Sequence, residues 1–181
     1  MSDTGWKSPG TVVDDSSVGT VNWDAPSNAK ASDNSYAQGT FGGSATTHYL
    51  KATNFGFSIP AGATIDGILV EIERKSAVAN IGKDDIVKII KSNGTLGEMN
   101  KADTSIFWPT TEAYKSYGSS SDLWNETWSS TDINDVDFGV VIAANFVNYG
   151  GTLAFVDHIR IKVYYTESGT NATSERNIYS K

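Results

Sequence analysis

The sequence predicts an all-β protein, an antiparallel two-sheet β-sandwich of jelly-roll-like form with about eight strands. The clearest support is the run in which Phe55, Phe57 and Ile59 occupy alternate positions, because side chains along a strand alternate between the faces of a sheet. The alternation stops at a Pro-Ala-Gly corner, residues 60–62, and resumes over residues 68–73. The composition agrees, since 17 Gly, 11% aromatic residues and 2 Met are typical of a turn-rich β protein. No stretch has a convincing helical period.

Residues 1–43 form the loop-rich beginning of the predicted domain. They contain many turn formers and three short strand candidates, at residues 11–14, 18–23 and 36–41. Gly42 and Gly43 close the third candidate. We expect the large side chains of Trp6 and Trp23 to fill the edge of the sandwich.

The middle strands are separated by recognisable turns. A strand is predicted over residues 46–57, and Pro60 suits the corner that follows because it lacks the backbone N–H that a strand interior needs. Beyond the corner, the inward residues are Ile68, Val70 and Ile72, and the outward Glu71 and Glu73 are predicted to be ordinary solvated charges. Another strand is predicted over residues 86–91, and the Asn93-Gly94 pair after it suits a type I′ hairpin turn.

The last third of the chain returns to clear strand patterns. One strand is predicted to bury Phe138, Val140, Ile142 and Ala144, and the last strand is predicted to bury Phe155, Asp157, Ile159, Ile161, Val163 and Tyr165. Because Asp157 falls on the buried face, we expect it to lie at the mouth of its strand and to hydrogen-bond a loop. The chain is thus predicted to be a single domain over residues 1–166, followed by a polar tail at residues 167–181.

Composition and motifs exclude several classes of function. The 181 residues contain no Cys, which excludes disulfides and thiolate metal sites, and the formal charge of −7 argues against nucleic-acid binding. No apolar run is long enough for a membrane helix, and the N-terminus does not resemble a secretory signal, so we expect a soluble protein without membrane contact. There is no nucleophile elbow, phosphate-binding loop or distinctive carboxylate pair. The sequence therefore predicts no enzyme and no cofactor.

Aromatic side chains are concentrated in the long irregular segment between residues 96 and 134. The candidates for a functional surface are Trp108, Tyr117, Trp124 and Trp128. Aromatic faces beside Asp and Asn can stack on sugar rings and bind hydroxyl groups, and Trp and Tyr are also enriched at protein interfaces. The same side chains could instead form a hydrophobic lid on the sandwich. The sequence leaves the lid, the interface and the sugar platform open.

A cluster of oxygen ligands suggests calcium but does not match the EF-hand. The candidate ligands are Asp132, Asn134, Asp135 and Asp137. An EF-hand loop needs Gly at its sixth position and Glu at its twelfth, where this chain has Asp137 and Ala143. Another calcium geometry is possible. The favoured interpretation is a capped turn that leads into the strand beginning near Phe138, because Asp and Asn side chains hydrogen-bond nearby backbone.

Three segments carry a family resemblance that covers roughly residues 6–166. They read NFGFSIPAGATIDGILVEIERKS, SDLW with the following DINDVDFGVVI, and VDHIRIKVYYT. Together they resemble a β-sandwich of tailed-bacteriophage virion proteins, which occurs in capsid decoration proteins, head fibres and tail adhesin modules. These motifs are structural, so no site residues transfer.

The resemblance implies a virion structural protein, made in the host cytoplasm and carried on the particle surface. A capsid decoration or head-fibre protein of this kind would bind the capsid or other virion proteins, as a homo-oligomer. The alternative is a carbohydrate-binding or receptor-binding module of a tail fibre or surface adhesin, with a host-surface glycan as partner. Fold alone does not decide between them.

Overall fold

Two antiparallel sheets face each other across an apolar core in a computed structural model that describes residues 1–147 and 151–168. The six-stranded sheet contains β1 (Ser2–Asp3), β3 (Trp23–Asp24), β4 (Ala37–Phe41), β7 (Thr64–Ser76), β9 (Ala113–Gly118) and β11 (Thr152–Thr166). The five-stranded sheet contains β2 (Thr11–Asp15), β5 (Ala45–Thr46), β6 (Tyr49–Thr53), β8 (Gly82–Ile90) and β10 (Gly139–Phe146). This architecture confirms the predicted two-sheet sandwich.

Strand order brings distant parts of the sequence together. The six-stranded sheet runs β3-β4-β11-β7-β9 with β1 beside β11, and in the other sheet β10 lies between β6 and β8. The described residues form eleven strands rather than about eight, because β1, β3 and β5 are two-residue strands too short to give a pattern. The only helical elements among these residues are a 3-10 turn, Pro26–Ala29, and α1, Ser130–Asn134. Neither is long enough to cross a membrane.

The core follows the predicted alternation with one correction. Phe138, Val140, Ile142 and Ala144 are all buried as predicted, and Phe55, Phe57 and Ile59 also point inward although their backbone is not a strand. In β11, however, a β-bulge between Val156 and His158 shifts the register. Consequently Ala154 and Val156 face the core, whereas the predicted Phe155 and Asp157 lie on the outer side. A single extra residue in a strand reverses its faces, and sequence alternation does not reveal it.

A buried polar network joins the two sheets to the long segment that follows β8. The guanidinium of Arg74 lies 3.2 Å from the Asp84 carboxylate, and both side chains are almost completely buried. Asp84 also accepts hydrogen bonds from the Trp108 indole at 2.7 Å and the Tyr117 hydroxyl at 2.9 Å. Burial and the neighbouring Asp84 charge raise the pKa of Tyr117, so its hydroxyl stays protonated.

This network fixes the segment over residues 101–108 along the edge of β8. The Asp84 carboxylate accepts the backbone N–H of Asp103, and the N–H of Trp108 donates to the carbonyl of Gly82 at 2.7 Å. Gly82 is needed here because a Cβ would lie 2.3 Å from the Phe146 ring, which packs edge-to-face against Trp108. The edge of β8 is thereby covered by the chain's own segment, which also protects it from pairing with other chains.

We expect Asp84→Ala to lower the free energy of unfolding by about 3–5 kcal/mol, because removing one partner leaves a buried, unpaired guanidinium. Chemical denaturation followed by tryptophan fluorescence measures this change. The control is Lys91→Ala, which breaks a half-exposed ion pair with Glu126 and should cost less than about 1 kcal/mol. A loss for Asp84→Ala as small as that of the control would show that the network does not hold the fold.

Candidate functional site

The aromatic residues predicted as a functional surface do not form one. Trp108 and Trp124 are 1% exposed and Tyr117 is 3% exposed, so their ring faces cannot stack on a ligand. The sugar-platform and interface interpretations are therefore corrected for these three residues, which match the lid interpretation. The physical reason is that the largest apolar side chains of the irregular segment anchor it to the core of the sandwich.

Trp124 and Trp128 are held separately from the Trp108 network. The Trp124 indole donates a hydrogen bond to the carbonyl of Ile68 at 3.0 Å, at a turn where both Trp124 and Asn125 adopt left-handed backbone conformations. Trp128 packs edge-to-face on Phe138 and is half-buried. The four predicted residues are thus distributed over several core contacts instead of converging on one surface.

The calcium candidates are engaged in capping a turn. Asp132 and Ser129 form a capping box at the start of α1, and these hydrogen bonds hold the pKa of Asp132 below its usual range. The Asn134 amide exchanges two hydrogen bonds with the backbone of Ile59, and Asp135 accepts the N–H of Asp137. This confirms the capped turn before β10 and gives the calcium alternative no support at these four positions.

The residue next to Trp108 lines a concave site that combines apolar and polar side chains. Because Trp108 turns into the core, Phe107 turns outward, and its ring forms one wall of a pocket of about 290 Å³. This Phe107 pocket is lined by Ile81, Lys83, Asp84, Asp85, Thr104, Phe107, Asn145 and Val147. Val147 is 42% exposed, and the neighbouring Ile106 is 53% exposed, so apolar surface continues to the rim.

Polar side chains converge on the Phe107 pocket from two strands. Lys83 and Asp85 project from β8, and Asn145 lies opposite Lys83 on β10. The Lys83 ammonium lies 4.4 Å from the centre of the Phe107 ring, and it forms no salt bridge within the described residues. The Asn145 side-chain N–H donates to the Thr46 hydroxyl, and its amide oxygen accepts no hydrogen bond within the described residues. The pocket therefore combines an aromatic wall with ammonium, carboxylate, amide and hydroxyl groups.

A larger groove of about 540 Å³ lies between residues 101–105 and 115–118. Its walls are mostly polar, and its aromatic residue, Tyr117, is buried in the network. Lys115 and Asp103 are paired at 2.7 Å, which holds the pKa of Asp103 well below its usual range. The groove consequently offers neither an exposed ring nor an unpaired charge from this pair, and the Phe107 pocket is the better candidate.

The sequence signal for this pocket was incomplete. The ring that faces the pocket is the half-buried Phe107, and not the predicted Trp108 beside it. Among His, Cys, Asp and Glu of the described residues, the group that could surround a metal ion is Glu73, Glu112 and Asp157, on the six-stranded sheet. Sequence spacing gave no signal for that group, since its members lie on separate segments.

Comparisons with known proteins give structural likeness only. No family model and no curated protein matches the chain. The xylan-binding CBM22-1 domain of Paenibacillus barcinonensis Xyn10C is 10% identical, with 90% of this chain and 88% of that chain covered and a TM-score of 0.39. The N-terminal cellulose-binding domain of Cellulomonas fimi β-1,4-glucanase C is 9% identical, covers 93% and 95% of the two chains, and has a TM-score of 0.32. Likeness at this level does not indicate a ligand for this chain.

We expect Trp124→Ala to lower the free energy of unfolding by about 3–5 kcal/mol, because a fully buried indole and its hydrogen bond are lost. The measurement is urea denaturation followed by circular dichroism. Trp6→Ala is a useful comparison, since Trp6 is only half-buried and its replacement should lower the free energy of unfolding by less. If Trp124→Ala were as stable as the unsubstituted protein, the indole would have to be accessible and the lid assignment would fail.

Proposed function

We propose that this protein is a non-catalytic carbohydrate-binding β-sandwich that takes a short segment of glycan in the Phe107 pocket. The observation that carries the proposal is the combination of the half-buried Phe107 ring with the side chains of Lys83, Asp85 and Asn145 in one concavity. Sugars present C–H faces that pack on aromatic rings and hydroxyl groups that need hydrogen-bonding partners. The pocket supplies both types of contact.

Size and rigidity support this assignment. A volume of about 290 Å³ lies at the lower end of the range for small-ligand sites, which suits a short glycan segment better than a folded partner. The pocket is built on the paired strands β8 and β10, and the Phe107 segment is fixed by the buried network. A preformed site loses little conformational entropy when a ligand binds.

Binding without catalysis is supported by the contacts of the two acidic residues that line the pocket. Asp84 already accepts hydrogen bonds from Tyr117 and Trp108 and pairs with Arg74. Asp85 is therefore the acid available to a ligand. Glycoside hydrolysis generally uses two carboxyl groups on opposite sides of the scissile bond, and this pocket offers one.

We expect Phe107→Ala to weaken glycan binding by about tenfold or more, because the stacking surface is lost while the buried anchor Trp108 is retained. A glycan array identifies the ligand, and calorimetric titration of the best oligosaccharide gives the dissociation constants. The matched control is Phe155→Ala, a half-buried ring on the outer side of the six-stranded sheet. Absence of any binding on the array, or equal affinity for both variants, would contradict the proposal.

The resemblance to tailed-phage virion proteins supports a second proposal, concerning where such a module works. We propose that it is carried on a virion, as a decoration, fibre or adhesin component, with virion proteins as its attachment partners. Mass spectrometry of purified particles from the phage that encodes this chain should detect it in several copies per particle. Its absence from intact virions would refute this location and leave the sugar site untouched.

A further inference from the structure

Three carboxylates from separate segments meet on the outer side of the six-stranded sheet. Glu73 lies in β7, Asp157 in β11, and Glu112 immediately precedes β9. One carboxylate oxygen from each side chain lies within 4.8 Å of the other two. The β-bulge in β11 places Asp157 here, since without the register shift its side chain would be on the core face.

A second observation points to a ligand for this acid cluster of Glu73, Glu112 and Asp157. The Oε2 atoms of Glu73 and Glu112 are both completely buried and have no hydrogen-bond partner among the described residues, where the Glu112 atom has an ion pair at 3.7 Å with the Lys75 ammonium. A buried polar atom without a partner loses its hydration and gains nothing in return. In a native structure such an atom needs an explanation, and a bound ion is one of the few available.

The charges around the cluster are not balanced by the protein itself. Among the described residues, the one cation that forms a salt bridge with it is Lys75, whose ammonium lies 3.7 Å from Glu112 and donates at 2.7 Å to the Tyr36 hydroxyl. Asp157 is 1% exposed and accepts the backbone N–H groups of Asp33 and Asn34 at 3.4 and 3.1 Å. Burial raises the pKa of Asp157, and the charges of the two glutamates act in the same direction. The cluster therefore retains an excess of negative charge in a poorly solvated place.

We propose that Glu73, Glu112 and Asp157 bind one hard divalent cation, with calcium as the expected ion. A point exists within about 2.8 Å of three atoms that lie at most 4.8 Å apart, close to the roughly 2.3–2.6 Å of calcium–oxygen bonds. An all-oxygen set of carboxylates favours calcium or magnesium over zinc or copper. Calcium also accepts irregular geometry and additional water ligands, as a three-carboxylate site requires.

The cation would add a shared contact to the chain segments that surround the paired strands β7, β9 and β11. Asp157 already holds the loop at Asp33 and Asn34, and Glu112 belongs to the approach to β9. Binding at this place would tie the loop and the edge strand to β11. The site lies on the six-stranded sheet, whereas the Phe107 pocket belongs to the edge of the five-stranded sheet, so the two proposals stand independently.

Calcium titration of the metal-stripped full-length protein tests the site. We expect one calcium ion per chain by calorimetry, a higher melting temperature in calcium than in chelator, and terbium luminescence excited through Tyr114, which contacts Glu73. Glu73→Gln and Glu112→Gln should each weaken binding by about tenfold or more. Each should still fold in chelator, since removing one of three close negative charges reduces their repulsion.

Two control variants locate the ion. Glu98→Gln removes an exposed acid, and Asp135→Asn removes a carboxylate of the capped turn before β10; both should bind calcium as the unsubstituted protein does. The proposal is overturned if the unsubstituted protein shows neither binding nor a calcium-dependent rise in melting temperature. It is also overturned if binding survives unchanged in both cluster variants, or disappears in Asp135→Asn.

Discussion

The buried pair of Arg74 and Asp84 is the constraint on which the arrangement of the surface depends. Two charges removed from water are costly, and they are tolerated only where geometry and further hydrogen bonds compensate for the lost hydration. Here the Trp108 indole, the Tyr117 hydroxyl and the N–H of Asp103 supply those bonds. Each of these donors lies on the chain beyond β8. The pair thus determines where the long segment lies on the sandwich.

The position of this segment determines which of its side chains face the surface, because adjacent side chains point alternately inward and outward. Trp108 fills the core and donates to Asp84, so its neighbour Phe107 faces outward beside Lys83 of β8. Along β8 the same alternation turns Asp84 inward and leaves Asp85 in the pocket wall. The residues that stabilise the loop and those that face a ligand are therefore adjacent in sequence. The acid cluster on the six-stranded sheet is a separate feature, placed there by the bulge in β11.

Sequence alternation was sufficient for the sheets but insufficient for the site. A long half-buried strand such as β7 has a period of two that hydrophobicity reveals directly, and β10 is a nearly continuous apolar run that is buried on both faces. The bulge at Asp157 has no such signature in the sequence. For this reason the alternation wrongly predicts that Phe155 and Asp157 face the core. In the irregular segment there is no period at all, so the inward Trp108 could not be distinguished from the outward Phe107. That choice depends on Arg74 and Asp84, ten residues apart in sequence but on strands of opposite sheets, and thus on tertiary contacts.

The central claim is that the buried network presents the Phe107 pocket as the ligand site. A backbone amide chemical-shift titration tests this claim most directly. The labelled protein would be titrated with the best-binding oligosaccharide. The account predicts that perturbations concentrate at the lining residues Lys83, Asp85, Thr104, Phe107 and Asn145, with the Trp108 indole resonance little changed in intensity because the network is preformed. Perturbations centred instead on the outer side of the six-stranded sheet, around Trp6 and Tyr114, would contradict it.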